Sequence, residues 1–188
     1  RGSKKTALID TVNPGFEGEL ISNVKEITHP GGIDYLVMNH AEPDHAGSIP
    51  AVLEVSPSAA VLATKKGAEM AQTMHRVPEE KIKIVADGDT IELGDKTLKF
   101  IEAPFLHWPE TMFTYAVEDK VLFPCDFFGL HTANALYDYE SEELISMAKT
   151  YFGEIMMPFR KMGAKALGKI EGLEIDAIAP SHGPVHTR

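Results

Sequence analysis

Only one cysteine, Cys125, occurs in the 188 residues. That excludes an internal disulfide and any metal site built from thiolates alone. It also fits a reducing, cytoplasmic setting. No apolar run nears the ~20 residues of a membrane span. The opening stretch, RGSKKTALID, lacks the apolar segment of a signal peptide. Positive charge is scarce too: 18 Lys and Arg stand against 28 Asp and Glu, a formal net charge of −10. Nucleic acid and anionic membrane are poor partners for such a surface, whereas a bound metal cluster would offset part of it. Internal repeats, low-complexity tracts and a dinucleotide-binding fingerprint are all missing.

What is present is ordinary globular composition, 44% hydrophobic and 24% charged, at a length that suits one domain. The pattern is mixed α/β. Strands are expected at 6–12, 33–38, 59–63, 81–85, 90–93, 97–101, 112–117, 121–124 and 175–179. The turn-like Glu118-Asp119-Lys120 makes a hairpin of 112–124. Helices are expected at 47–55 and 65–75. Ser141 is a good N-cap for a third helix, with Glu142 and Glu143 in its first turn. Leu144, Ala148, Tyr151 and Ile155 share one face of it, and Pro158 ends or kinks it. A further helical piece covers 161–170, with Gly172 to close it.

Four apolar strands each lead into a potential metal ligand just past their C-terminal ends. IDYLVMN leads to His40, LKFIEAPFL to His107, VLFPC to Asp126 and IDAIAPS to His182. Strands ending at a common edge would set these residues at one rim, on loops held by a rigid scaffold. The densest motif is His40-Ala41-Glu42-Pro43-Asp44-His45. Its two imidazoles and two carboxylates cannot all reach one ion without crowding. A tight loop can instead turn His40 and Glu42 one way and Asp44 and His45 another, straddling two metals about 3.5–4 Å apart. Asp126 can then bridge, with His107 and His182 completing one ion each. The plainer reading is a polar loop with a helix-capping Asp44 and an incidental histidine pair. Imidazole suits iron and zinc alike, but several carboxylates and no thiolate favour iron or manganese.

The pattern His40-x-Glu42-x-Asp44-His45, with His107, Asp126 and His182 following, resembles the metallo-β-lactamase superfamily. Hydrolytic members usually carry histidine at the place of Glu42, and glutamate there resembles the flavodiiron branch. AEPDHAGSIP, APFLHWPETM, LFPCDFFG and APSHGPV also read like flavodiiron segments, so the resemblance covers essentially the whole chain. It implies that 1–188 is one metallo-β-lactamase-like αββα sandwich with a non-haem diiron site at one edge. It implies His40, Glu42 and His107 on one iron, Asp44 and His182 on the other, and Asp126 between them. Family members differ in whether the histidine at the place of His45 binds iron or yields to water.

The implied activity is reduction of O2 to water, or of NO to N2O, with electrons from a flavin. A flavoprotein or rubredoxin-type donor and a head-to-tail homodimer come with that resemblance. Family members normally carry further N-terminal strands and continue into a flavodoxin-like FMN domain. This sequence starts and stops short of both, and no phosphate-binding loop follows a strand. FMN is therefore expected from a partner or from a domain outside the sequence. A diiron O2 sensor without turnover and a dinuclear metal-dependent hydrolase are the alternative functions; Glu42 speaks against the second.

Further residues carry two readings each. His131, five residues beyond Asp126, suits a hydrogen bond to a ligand or substrate, and equally a surface position. Tyr151 resembles the family's aromatic residue near the oxygen pocket, while its spacing with Ala148 and Ile155 suits core packing. Trp108 can line the route between flavin and iron or shield the site. His29, His75 and His186 read as exposed, and Cys125 as a small buried residue beside a ligand. Met70, Met74, Met156, Met157 and Met162 are expected to pack the core.

Overall fold

Parallel strands need crossover connections, and the first half of the chain supplies them. In the computed structural model, which describes residues 1–138 and 143–187, β1 (Ala7–Ile9), β2 (Tyr35–Val37), β3 (Ala60–Ala63) and β4 (Ile82–Ile84) form an all-parallel sheet in that order. Helix α1 (Glu17–Ile27), the short α2 (Pro43–Ala46), α3 (Ile49–Val55) and α4 (Lys65–His75) fill the crossovers. The second sheet contains β5 (Thr90–Glu92), β6 (Thr97–Glu102), β7 (Met112–Ala116), β8 (Val121–Phe123), β9 (Ala177–Ile178) and β10 (His186–Thr187). Its order is β10-β9-β8-β7-β6-β5, antiparallel except for the parallel β8–β9 pair. The expected hairpin is β7–β8, with Thr114 opposite Phe123.

Successive strand residues point to opposite faces, and in the inner strands β2, β3 and β7 both faces are covered. Val37 and Leu62 of the first sheet meet Phe100 and Met112 of the second in the central layer. Their neighbours Leu36 and Val61 face outward onto Ile49, Val52 and Ala71 of the helices. On the far side Phe113, Tyr115 and Leu122 pack against Tyr151, Met156, Ala166 and Ile170. The result is the expected αββα sandwich. Burial on both faces explains why β2 and β3 read as continuous apolar runs, whereas the edge strands β4 and β5 carry exposed polar residues.

Helix α5 (Leu144–Tyr151) passes into a π-turn (Phe152–Met156) and a 3-10 turn (Met157–Phe159) before α6 (Arg160–Ile170). Pro158 thus kinks the path rather than ending it. The expected N-cap Ser141 and first-turn Glu142 lie outside the described residues. Helix α1 went unread because it buries no residue fully and has no capping side chain. Strand β10 is two residues long. Met74 and Met157 are exposed on their helices, not core residues. No helix among the described residues is long and apolar enough to cross a membrane.

Strands β6, β8 and β9 run in one direction, because β7 lies antiparallel to both β6 and β8 while β9 is parallel to β8. The loops after all three, and the loop after β2, meet at one rim.

Candidate metal centre

The loop after β2 is held by the other sheet. Asn39 receives the Thr114 hydroxyl at its Oδ1 (2.7 Å) and donates from Nδ2 to the Phe123 carbonyl (3.3 Å). Its own N–H donates to Asp10 Oδ1 at 2.7 Å. Ala41 is held from both sides. Its N–H donates to Glu110 Oε1 (2.8 Å), and His75 Nε2 lies 2.6 Å from its carbonyl. His75 is therefore a buried structural residue, not an exposed one. Beyond Ala41, Glu42 precedes α2 and Pro43 opens it, a position where a missing N–H costs nothing. That single turn separates His40 and Glu42 from Asp44 and His45.

The other loops are tied together as well. Ser181 N–H donates to the Cys125 carbonyl (2.9 Å), and Leu130 N–H to the His182 carbonyl (3.1 Å). Asp10, Phe105, Cys125 and Phe128 all adopt positive φ, uncommon for non-glycine residues. Each lies in a loop that touches the rim, where such strain is held in place by the surrounding structure.

All seven proposed ligands converge in two groups that share Asp126. In the first, Glu42 Oε2 is 3.2 Å from both His40 Nε2 and His107 Nε2, and Asp126 Oδ2 is 3.4 and 3.5 Å from the same nitrogens. In the second, Asp44 Oδ2 lies 3.4 Å from His45 Nε2 and 3.2 Å from His182 Nε2. Asp126 Oδ1 lies 3.0 and 3.2 Å from those two nitrogens. One carboxylate thus turns one oxygen to each group.

These spacings match the edges of a coordination shell. Metal bonds of about 2.0–2.2 Å to nitrogen and oxygen put adjacent ligand atoms about 2.8–3.6 Å apart in octahedral or tetrahedral shells. His45 Nε2 is buried and has no hydrogen-bond partner despite its short approach to Asp126. A buried imidazole nitrogen left so is costly, unless its lone pair faces a cation. The donor set and this orphaned nitrogen both fit two metal ions. His45 faces the second group directly.

Electrostatics agree. Burial alone would raise the Asp126 pKa, but the imidazoles of His107, His182 and His45 outweigh it and hold the carboxyl far below its usual range. His182 is lifted to about 9, chiefly by Asp126 and Asp44. His107 is raised by Asp126, against its burial and with help from Glu42. Asp44 is lowered, first by His182. Without metal, protons take the place that cations would occupy.

Residues outside the ligand set sort as follows. Cys125 is buried, with its thiol pushed well up by burial and by Asp126. Tyr151 is buried, and burial together with the Asp126 charge raises its pKa, so it stays a neutral phenol. Gly129 permits its approach: a Cβ there would lie 3.1 Å from the Tyr151 hydroxyl. His131 is an exposed residue whose ring stacks edge-on against Tyr151 at 4.7 Å. The Trp108 ring stands edge-on to His40 at 5.1 Å and so walls that side of the first group. His29 is exposed as expected, whereas His186 is half-buried with Nε2 2.9 Å from the Phe128 carbonyl. Glu110 escaped the sequence reading altogether. Its Oε1 lies 2.7 Å from His40 Nδ1, on the side of the ring away from the metal groups. The only sequence signal was a glutamate at the head of an apolar strand, three residues past His107.

An αββα sandwich carrying a paired His/carboxylate site at its strand ends defines a metallo-β-lactamase-type metalloprotein. Residues 1–183 match the model of the ODP family beta lactamase, and the chain belongs to that family. It is 40% identical over 190 residues to the flavo-diiron protein FprA2 of Clostridium acetobutylicum, covering 98% of this chain and 48% of that protein. It is 43% identical to a nitric oxide reductase of Moorella thermoacetica, covering 95% and 46%. Among solved structures it resembles rubredoxin oxygen:oxidoreductase from Desulfovibrio gigas, with a TM-score of 0.93, 30% identity and coverage of 97% and 47%. The chain spans about half the length of the curated relatives it matches. The resemblance to flavodiiron proteins seen in the motifs thus extends over the fold.

Proposed function

We propose that the chain is the diiron core of an oxidoreductase that reduces O2 to water or NO to N2O, with electrons from a flavin donor. The observation that carries this reading is Asp126, whose two oxygens face two separate His/carboxylate groups, one of them containing Glu42. In this reading His40, Glu42 and His107 hold one iron, Asp44, His45 and His182 the other, and Asp126 spans both. When bound, a ferrous pair would supply the two electrons that take two NO to N2O and water, or half of the four that take O2 to water, the flavin donor supplying the rest. The protein's part is to hold charge and geometry while the redox chemistry belongs to the cofactor. Tyr151, kept neutral, is an O–H donor beside the Asp126 loop; His131, edge-on to Tyr151, stands at the solvent side. Relatives named as a nitric oxide reductase and as a rubredoxin oxygen:oxidoreductase support the substrate class and the kind of donor. An FMN-bearing domain or flavoprotein, a head-to-tail homodimer and a cytoplasmic setting belong to the same proposal.

The test is gas consumption by iron-loaded chain after anaerobic chemical reduction. The reading predicts consumption limited to the two electrons of the pair, and no sustained turnover with NADH alone. O2 bound and released unchanged would make the chain a sensor. A chain that instead hydrolyses esters or lactams with zinc, and leaves both gases untouched, would be a hydrolase.

A further inference from the structure

The four imidazoles of the metal centre are not held alike. His40 Nδ1 lies 2.7 Å from Glu110 Oε1, a hydrogen bond between two fully buried side chains. His45 Nδ1 has only Cys125 Sγ at 3.6 Å and Asp10 Oδ2 at 3.8 Å. A thiol is a weak partner, and the other Asp10 oxygen already accepts the Asn39 N–H. Among the described residues, neither His107 nor His182 has its Nδ1 on a carboxylate.

Glu110 is itself fixed. Its Oε1 also accepts the Ala41 N–H, and its carbonyl accepts the Thr64 hydroxyl at 2.9 Å. Thr64 caps α4 by accepting the Gly67 N–H. Oε2 is buried and has no partner. A buried carboxylate with one idle oxygen is expensive to keep. Its cost is offset if its charge acts on something nearby, and the His40 ring is what it touches. A carboxylate behind a metal-bound imidazole fixes the tautomer, aims the ring and makes the nitrogen a better donor.

We propose that Glu110 is a positioning residue that makes the two metal positions unequal: the position formed by His40, Glu42 and His107 is the tighter, and that formed by Asp44, His45 and His182 is the weaker and more exchangeable. The inference rests on the two-metal reading above, but on neither the identity of the metal nor the gas reduced.

The test is a Co2+ titration of the metal-free chain, read by the cobalt absorption bands against a competing chelator. Wild type should fill in two resolved steps. Glu110→Gln keeps an acceptor for His40 and Ala41 but removes the charge. It should weaken the tighter step about 10–100-fold, leave the weaker step in place and narrow the gap between them. Glu110→Asp, which restores the charge, should recover part of the loss. Melting of the metal-free chain guards against a merely structural effect. Equal weakening of both steps by Gln and Asp, with a lowered metal-free Tm, would overturn the positioning role. Two wild-type-like steps in Glu110→Gln would overturn it as well, with the two-metal reading intact. A wild-type chain that takes up no pair of ions would overturn that reading itself.

Discussion

His45 Nε2 lies 3.0 Å from Asp126 Oδ1 yet is not aligned to share a proton with it. Two lone-pair donors buried at that distance converge on a point between them and their neighbours, not on each other. The same oxygen faces His182, while its twin faces His40 and His107. The consequences for metal binding, for protons and for the supporting loops can each be measured.

Asp126→Ala is expected to damage the site more than His45→Ala. Asp126 borders both groups, so its removal takes a donor from each. His45 borders one group, and Asp44, His182 and Asp126 remain there. Metal content per chain decides this: Asp126→Ala should fall well below His45→Ala. Wild-type metal content in Asp126→Ala would show that it bridges nothing.

Metal binding near pH 7 should release protons. His182, lifted to about 9 chiefly by Asp126 and Asp44, carries a proton there before metal arrives, and Asp126 shifts His107 in the same direction. Affinity should therefore rise with pH from 6 to 9. Calorimetry in two buffers of different ionisation heat reads the protons directly, and identical heats would contradict it. The sign for the metal-free chain is the opposite. His182 has a folded pKa above its unfolded value of about 6.5. Its contribution to stability is full below that value and is lost as pH passes through about 9. Melting temperature without metal should fall across that window.

His75→Ala should loosen the motif loop from below. The His75 ring is buried and reaches the Ala41 carbonyl from the last turn of α4. Removing it leaves that carbonyl without its partner, at a cost of about 1–3 kcal/mol. Denaturant unfolding of the metal-free chain reads the loss. An unchanged midpoint would mean the contact is idle.

Gly129→Ala should also destabilise. Its Cβ would stand 2.8 Å from the Asp126 carbonyl and 3.0 Å from the buried Tyr151 ring, and the first of these belongs to the backbone that carries the bridging carboxylate. Overpacking of this kind costs about 1–3 kcal/mol. Both Tm and metal content should drop. A variant with normal Tm and normal metal content would show more room beside Asp126 than the contacts allow.

The ligand-bearing strands were legible because each has an apolar core, Leu36 and Val37, Phe100 and Ile101, Leu122 or Ala177 and Ile178, and their ends are marked by the polar residues that follow. The straddling loop was legible because four donors in six residues leave few other uses. The supports were not. Glu110 and His40 are 70 positions apart, and His75 and Ala41 are 34 apart; only the packed fold brings either pair together. His75 read as exposed because a helix C-terminus is usually solvated, and here the loop after β2 covers it. Helix α1 has neither a capping side chain nor a fully buried face to announce it.

The central claim, a two-metal site bridged by Asp126 and filled by iron, is tested most directly by elemental analysis of the chain produced with iron available. The account predicts about two irons per chain, with the optical spectrum of an iron pair. One metal per chain, or two zincs that persist in iron-rich growth, would contradict it.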